Sequence, residues 1–216
     1  MSDQAAFQEV DDAVRQDDIA AWWKRWGALT VTAFVVVIVA AAGTIQWRKY
    51  EASQAAVAGA AYSAALAKIG PDTKTARAEL QKQAETAAEP YRSLAALADA
   101  QLLDTPEQQI AALIALAPKL TPELSDLALA IAGYKSVDPG KLDAMSSQLE
   151  GMTALDRPFR LSARELQALA LVKKGDINGA RTIWEAISKE NATAPAGVAQ
   201  RTAAMLALYP APVEAK

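Results

Sequence analysis

The chain has 216 residues, 52% of them apolar, a formal charge of −3 and neither histidine nor cysteine. Without those two residue types a Ser-His-Asp or Cys-His mechanism has no base or nucleophile, and zinc, haem and iron–sulfur centres lose their usual ligands. The slightly acidic balance also argues against nucleic acid, whose recognition calls for a basic face.

Residues 1–26 form an acidic tail with six carboxylates against Arg15, Lys24 and Arg25. Phe7, Val10 and Val14 recur at helical spacing, opposite Asp3, Asp11 and Asp18. That pattern reads either as a frayed tail or as a short amphipathic segment that docks on a partner. The carboxylate pairs Asp11-Asp12 and Asp17-Asp18 lack the fixed, desolvated geometry that acid–base catalysis needs.

Residues 27–46 contain no charge and read GALTVTAFVVVIVAAAGTIQ. As a helix the run is about 30 Å long, the thickness of the hydrocarbon layer. Its valines are poor helix formers in water, but in lipid the backbone must satisfy its own hydrogen bonds. Trp22, Trp23 and Trp26 stand at one end and Trp47 and Tyr50 at the other, as membrane-interface aromatics do. Lys24-Arg25 and Arg48-Lys49 add a basic bracket at each end. Ala40-Ala41-Ala42 before Gly43 offers a small-residue cleavage site, but the acidic leader and the bracket beyond it favour a retained signal anchor. The basic residues lean slightly towards a cytoplasmic N-terminus.

Nothing breaks the helix after Trp47 until Gly70-Pro71, so residues 47–69 are expected to carry it into a first hairpin. A helix follows over 72–88 and another over 91–103. Thr105-Pro106 and Thr121-Pro122 each place a cap before a proline at the first helical position. Asp138-Pro139-Gly140 is a turn. Asp156-Arg157-Pro158 opens a helix to 174, Gly175-Asp176 closes it, and helices over 177–190 and 195–209 end the chain. β-Branched residues are scarce after residue 50 and no run alternates with period two, so no strand is expected.

Short helices in pairs, with hairpins of about 30–35 residues, describe an α-solenoid near the tetratricopeptide period of about 34. Ala95, Ala96, Ala98, Ala128, Ala130, Ala168 and Ala170 would let helix axes approach closely. Gly175 supplies the left-handed turn between paired helices, Ala180 a close crossing, and Trp184 with Ile187 the hairpin core. The fold class is all-α: one N-terminal transmembrane helix, then a tetratricopeptide-like helical domain over residues 70–216.

Arg157, Arg160 and Arg164 fall at i, i+3 and i+7. They read as a docking stripe for an acidic partner or lipid headgroup, or as a solvated face whose Arg160 pairs with Asp156 or Glu165. Tyr91, Tyr134 and Trp184 read as anchors of a peptide groove or as core. Gly133, Gly140 and Gly151 are scattered turn residues and form no phosphate loop.

The leader FQEVDDAVRQDDIAAWWKRWG, the stretch WRKYEASQAA and the segment FRLSARELQALALVKKGDINGARTIWEAISKENATAPAGVAQRTAAMLAL together resemble the bacterial YfgM-like family. These are tetratricopeptide-like ancillary subunits of the SecYEG translocon, and the resemblance covers nearly the whole chain. It departs in the first hairpin, where Gly70-Pro71-Asp72 replaces a Gly-Asp turn. The resemblance implies a bacterial inner-membrane anchor with a cytoplasmic N-terminus and a periplasmic helical domain. It implies contact with SecYEG and periplasmic chaperones. The reading is a binding protein that is no enzyme and needs no cofactor or small-molecule substrate. A scaffold for cytochrome biogenesis or cell division is the alternative, and an anchored carboxylate-based hydrolase is more distant.

Overall fold

A computed structural model describes residues 3–138, 140–190 and 194–211, with side chains from residue 22 onward. The side chains of residues 3–18, on which the amphipathic reading rests, and the proline of the 138–140 turn lie outside what the structure describes. The chain divides into two compact units at Val57/Ala58.

In the first unit lies most of helix α1 (Asp3–Ala67). From Trp22 the helix is long and apolar enough to cross a membrane, and none of its most apolar stretch is buried. Its hydroxyls are satisfied internally: Thr30 donates to the Trp26 carbonyl, Thr32 to Ala28 and Thr44 to Ala41. No hydroxyl in the run therefore needs water, which suits lipid.

The second unit holds the end of α1 and helices α2 (Thr73–Thr86), α3 (Tyr91–Gln101), α4 (Pro106–Leu116), α5 (Pro122–Lys135), α6 (Ser146–Gly151), α7 (Arg160–Lys173), α8 (Ile177–Lys189) and α9 (Ala196–Leu208). No strand occurs among the described residues. Helix α2 packs on α3, α4 on α5 and α7 on α8, and α9 closes against α8. Hairpins therefore start at Thr73 and Pro106, close to the tetratricopeptide period of about 34 residues.

Local chemistry sets most of the boundaries. Asp72 caps α2 by accepting from the Thr75 N–H, Thr105 caps α4 at Gln108, and Asp176 caps α8 at Gly179. Thr121 precedes α5 without a side-chain cap, and Pro122 alone marks that start. Gly70 and Gly175 take φ of +102° and +83°, which a side chain would oppose. Two expected boundaries need correction. Helix α7 begins at Arg160, because Pro158 restricts the residue before it and Phe159 has left helical geometry, so Arg157 belongs to the preceding turn. Residues 142–151, read only as following a turn, form a short 3₁₀ turn (Leu142–Met145) and α6, and they bury Leu142, Met145 and Leu149.

Small residues sit at the helix crossings. Ala65, Ala76, Ala95, Ala128, Ala132, Ala163, Ala168 and Ala180 have no exposed surface, and Trp184 is the largest side chain so enclosed. Gly133 corrects its reading as a turn residue. It lies inside α5, and a Cβ there would stand 2.5 Å from Leu166 Cδ1 of α7. Leu166 is itself fully buried and has no room to yield. Gly133→Ala should therefore overpack the α5–α7 contact by more than alanine returns in helix propensity, a net loss of about 1 kcal/mol. Thermal unfolding of the full chain in detergent should show a midpoint about 3 °C lower; an unchanged or higher midpoint would contradict this packing.

Candidate functional site

The five aromatic residues expected at a membrane interface are all exposed. Trp22, Trp23, Trp26, Trp47 and Tyr50 leave between 45% and 64% of their surface open, although soluble folds normally cover such rings. Trp22 and Trp23 lie 6.2 Å apart, and the Arg25 guanidinium sits 5.9 Å from the Trp26 ring. Trp47 and Tyr50 lie 6.4 Å apart, and the Trp47 indole donates to Glu51 at 2.8 Å. Each cluster presents an apolar ring body with a polar edge, the form that headgroup layers accept.

Tyr91 and Tyr134 make their contacts on different helices. Tyr91 opens α3 and packs against Tyr62 at 6.0 Å, and its hydroxyl fills the space where Gly59 lacks a side chain. It fastens the end of α1 to α3. Tyr134, on α5, is half-buried and donates to Glu165 Oε2 at 2.7 Å. Arg201 of α9 closes the triangle. Its Nε and Nη2 each reach Glu165 at 2.7 Å, its Nη2 donates to the Tyr134 hydroxyl at 2.8 Å, and its guanidinium lies 5.0 Å over the Tyr134 ring. Glu165 is only 1% exposed, so these bonds replace its water shell. Removing the arginine alone would leave a buried, uncompensated charge, which is strongly destabilising. The network thus ties α5, α7 and α9 together.

The three arginines of the expected stripe each meet a carboxylate from another part of the fold, and neither Asp156 nor Glu165 is the partner of Arg160. Arg157 reaches Asp126 of α5 at 2.5 Å, where the carboxylate is fully enclosed. Arg160 and Arg164 converge on Glu190, just past α8, at 2.5 and 2.6 Å. Hydrogen bonds first from Arg160 and then from Arg164 hold the Glu190 carboxyl below its ordinary range.

Sequence reading missed Asp126, Glu190 and Arg201, and it offered Glu165 only as a surface partner of Arg160. Glu165 was open to detection, because it lies four residues after buried Leu161 and three before buried Ala168, a core position for a charge. The acids that pair with the arginines lie 26 to 36 residues away, beyond any local pattern. A groove of about 530 Å³ also opens between α2, α3 and α4, floored by Ala84, Ala96, Ala100, Ala112 and Ala115, with Glu85 and Lys119 on its walls.

Burial, followed by the bond to Glu165, raises the Tyr134 phenol from 10.0 to about 12. The folded state therefore keeps a proton that the unfolded chain has lost, and stability should fall as pH rises from 10 towards about 12. Tyr134→Phe should cost about 1 kcal/mol at neutral pH and flatten that alkaline decline. Denaturant unfolding at a series of pH values measures both, and a mutant with the wild-type alkaline slope would contradict the assignment.

A family model described as a tetratricopeptide repeat-like domain matches residues 20–201. No curated protein and no solved structure matches the chain significantly. The match indicates no catalytic family, and stacked helical repeats work by presenting surfaces to other proteins. The matched residues take in the apolar helix and every hairpin, and the chain belongs to the tetratricopeptide repeat-like domain family.

Proposed function

We propose that this chain is a single-pass inner-membrane adaptor that associates with the SecYEG translocon and links export to periplasmic chaperones through protein–protein contacts. In this reading residues 1–26 are a cytoplasmic tail, 27–46 the span, 47–69 its continuation, and 70–216 the periplasmic repeat domain. The observation that carries the proposal is the joining of two features in one chain. An apolar helix flanked at both ends by exposed aromatic and basic residues precedes a family of protein-binding repeats. The YfgM-like leader and C-terminal segment supply the identity of the partners.

Tethering makes the arrangement effective. A tether fixes the repeat domain near a membrane exit site and raises the local concentration of any weak ligand. Modest affinity for emerging chains or for chaperones then suffices, and rapid release is retained. Trp22, Trp23, Trp26, Trp47 and Tyr50 would hold the span at its two interfaces.

A photoreactive amino acid in place of Tyr50, activated in cells, tests the partners. Capture of translocon subunits together with emerging envelope proteins is the expected result. Exclusive capture of cytochrome-assembly or division proteins would replace the translocon with another envelope machine, and capture of cytoplasmic proteins would invert the topology.

A further inference from the structure

Three acids in the repeat domain, Asp126, Glu165 and Glu190, are each held by arginine, yet they differ in their own exposure. Asp126 is fully enclosed and Glu165 is 1% exposed, so neither can leave its arginine without stranding a charge. Glu190 is 32% exposed and stands at the end of α8. A carboxylate there faces the negative end of the helix dipole, which disfavours it.

The two arginines it meets are underused. Arg160 and Arg164 lie one turn apart on α7, so their charges repel, and one carboxylate offsets only half of the total. Each guanidinium carries five N–H donors in a planar fork, and the bonds at 2.5 and 2.6 Å use the Nη1 of each. Both side chains are largely shielded, at 18% and 25% exposure, so water competes weakly with an incoming anion. Arg160 is the first residue of α7. That helix has no side-chain cap and no acid in its first turn. The arginine pair calls for more negative charge than the single Glu190 carboxylate supplies.

We propose that Arg160 and Arg164 form a docking site for an acidic polypeptide segment, and that Glu190 is its internal occupant, displaced when a partner carboxylate binds. The proposal rests on the reading that the repeat domain acts by protein contact, and it holds whichever membrane machine the anchor serves. Glu190 keeps the arginines ordered and their fork preorganised while the site is vacant. It also sets a threshold that isolated acidic residues do not pass and that a segment bearing several does.

The test uses the full chain in uncharged detergent and a fluorescent peptide of alternating Glu and Ser. Anisotropy should report salt-sensitive binding. Glu190→Gln should bind about three- to tenfold more tightly, because the competitor is gone. Arg160→Gln with Arg164→Gln should lose binding. The double lysine variant, which keeps the charge and guards against misfolding, should retain only part of it. A Glu190→Gln chain that binds equally or less well would make Glu190 a structural partner and overturn the proposal. Binding of glycerol phosphate in place of the peptide would assign the arginines to a lipid headgroup and overturn it equally. Crosslinking to the translocon is read separately, so either result can fail alone.

Discussion

Close approach of helices through alanine and glycine is the constraint on which the repeat domain depends. Crossings built on Ala95, Ala128, Ala168 and Ala180, and on Gly133 against Leu166, bring backbones near but bury little apolar surface per residue. Hydrophobic burial from such crossings is modest, and specific longer-range ties become important. Trp184 fills the α7–α8 hairpin and stacks on Tyr209 at 5.9 Å. Arg181 reaches back to the Tyr209 carbonyl, and the Glu165 network joins α5, α7 and α9. Helix α9 is thus held by directional bonds as well as by packing.

The sequence was most readable where one residue sets the local backbone. Asp72, Thr105 and Asp176 cap helices as their chemistry directs, and Gly175 takes the positive φ that its position before a cap suggested. Boundaries moved where two signals competed. Pro158 was read as a helix start, but the residues after it remain a turn until Arg160. The Leu142–Gly151 segment escaped because a 3₁₀ turn followed by six helical residues is too short to display a periodicity. Gly133 escaped for another reason: a glycine demanded by a close crossing looks, in sequence, like a glycine demanded by a turn.

The polar site was legible only in part. The arginines were visible as a stripe, but their acids come from α5 and from the end of α8, and pairing at such separation is a property of the fold. The same holds for Tyr134, which the sequence presents as a groove anchor or a core residue and the fold commits to Glu165. Arginines so engaged do not make an indiscriminate basic surface. Their contacts grade from a fully enclosed acid at Asp126 to a partly exposed one at Glu190.

An adaptor at an export site must also place its repeats on the far side of the membrane from its N-terminus, and the absence of cysteine makes this directly measurable. Single cysteines at Ser2 in the tail and at exposed Ser147 in the repeat domain can be labelled in spheroplasts with a membrane-impermeant maleimide. The account predicts that Ser147→Cys labels in intact spheroplasts and Ser2→Cys only after permeabilisation. Labelling of Ser2→Cys alone in intact spheroplasts would put the repeats in the cytoplasm and contradict the proposed role in export.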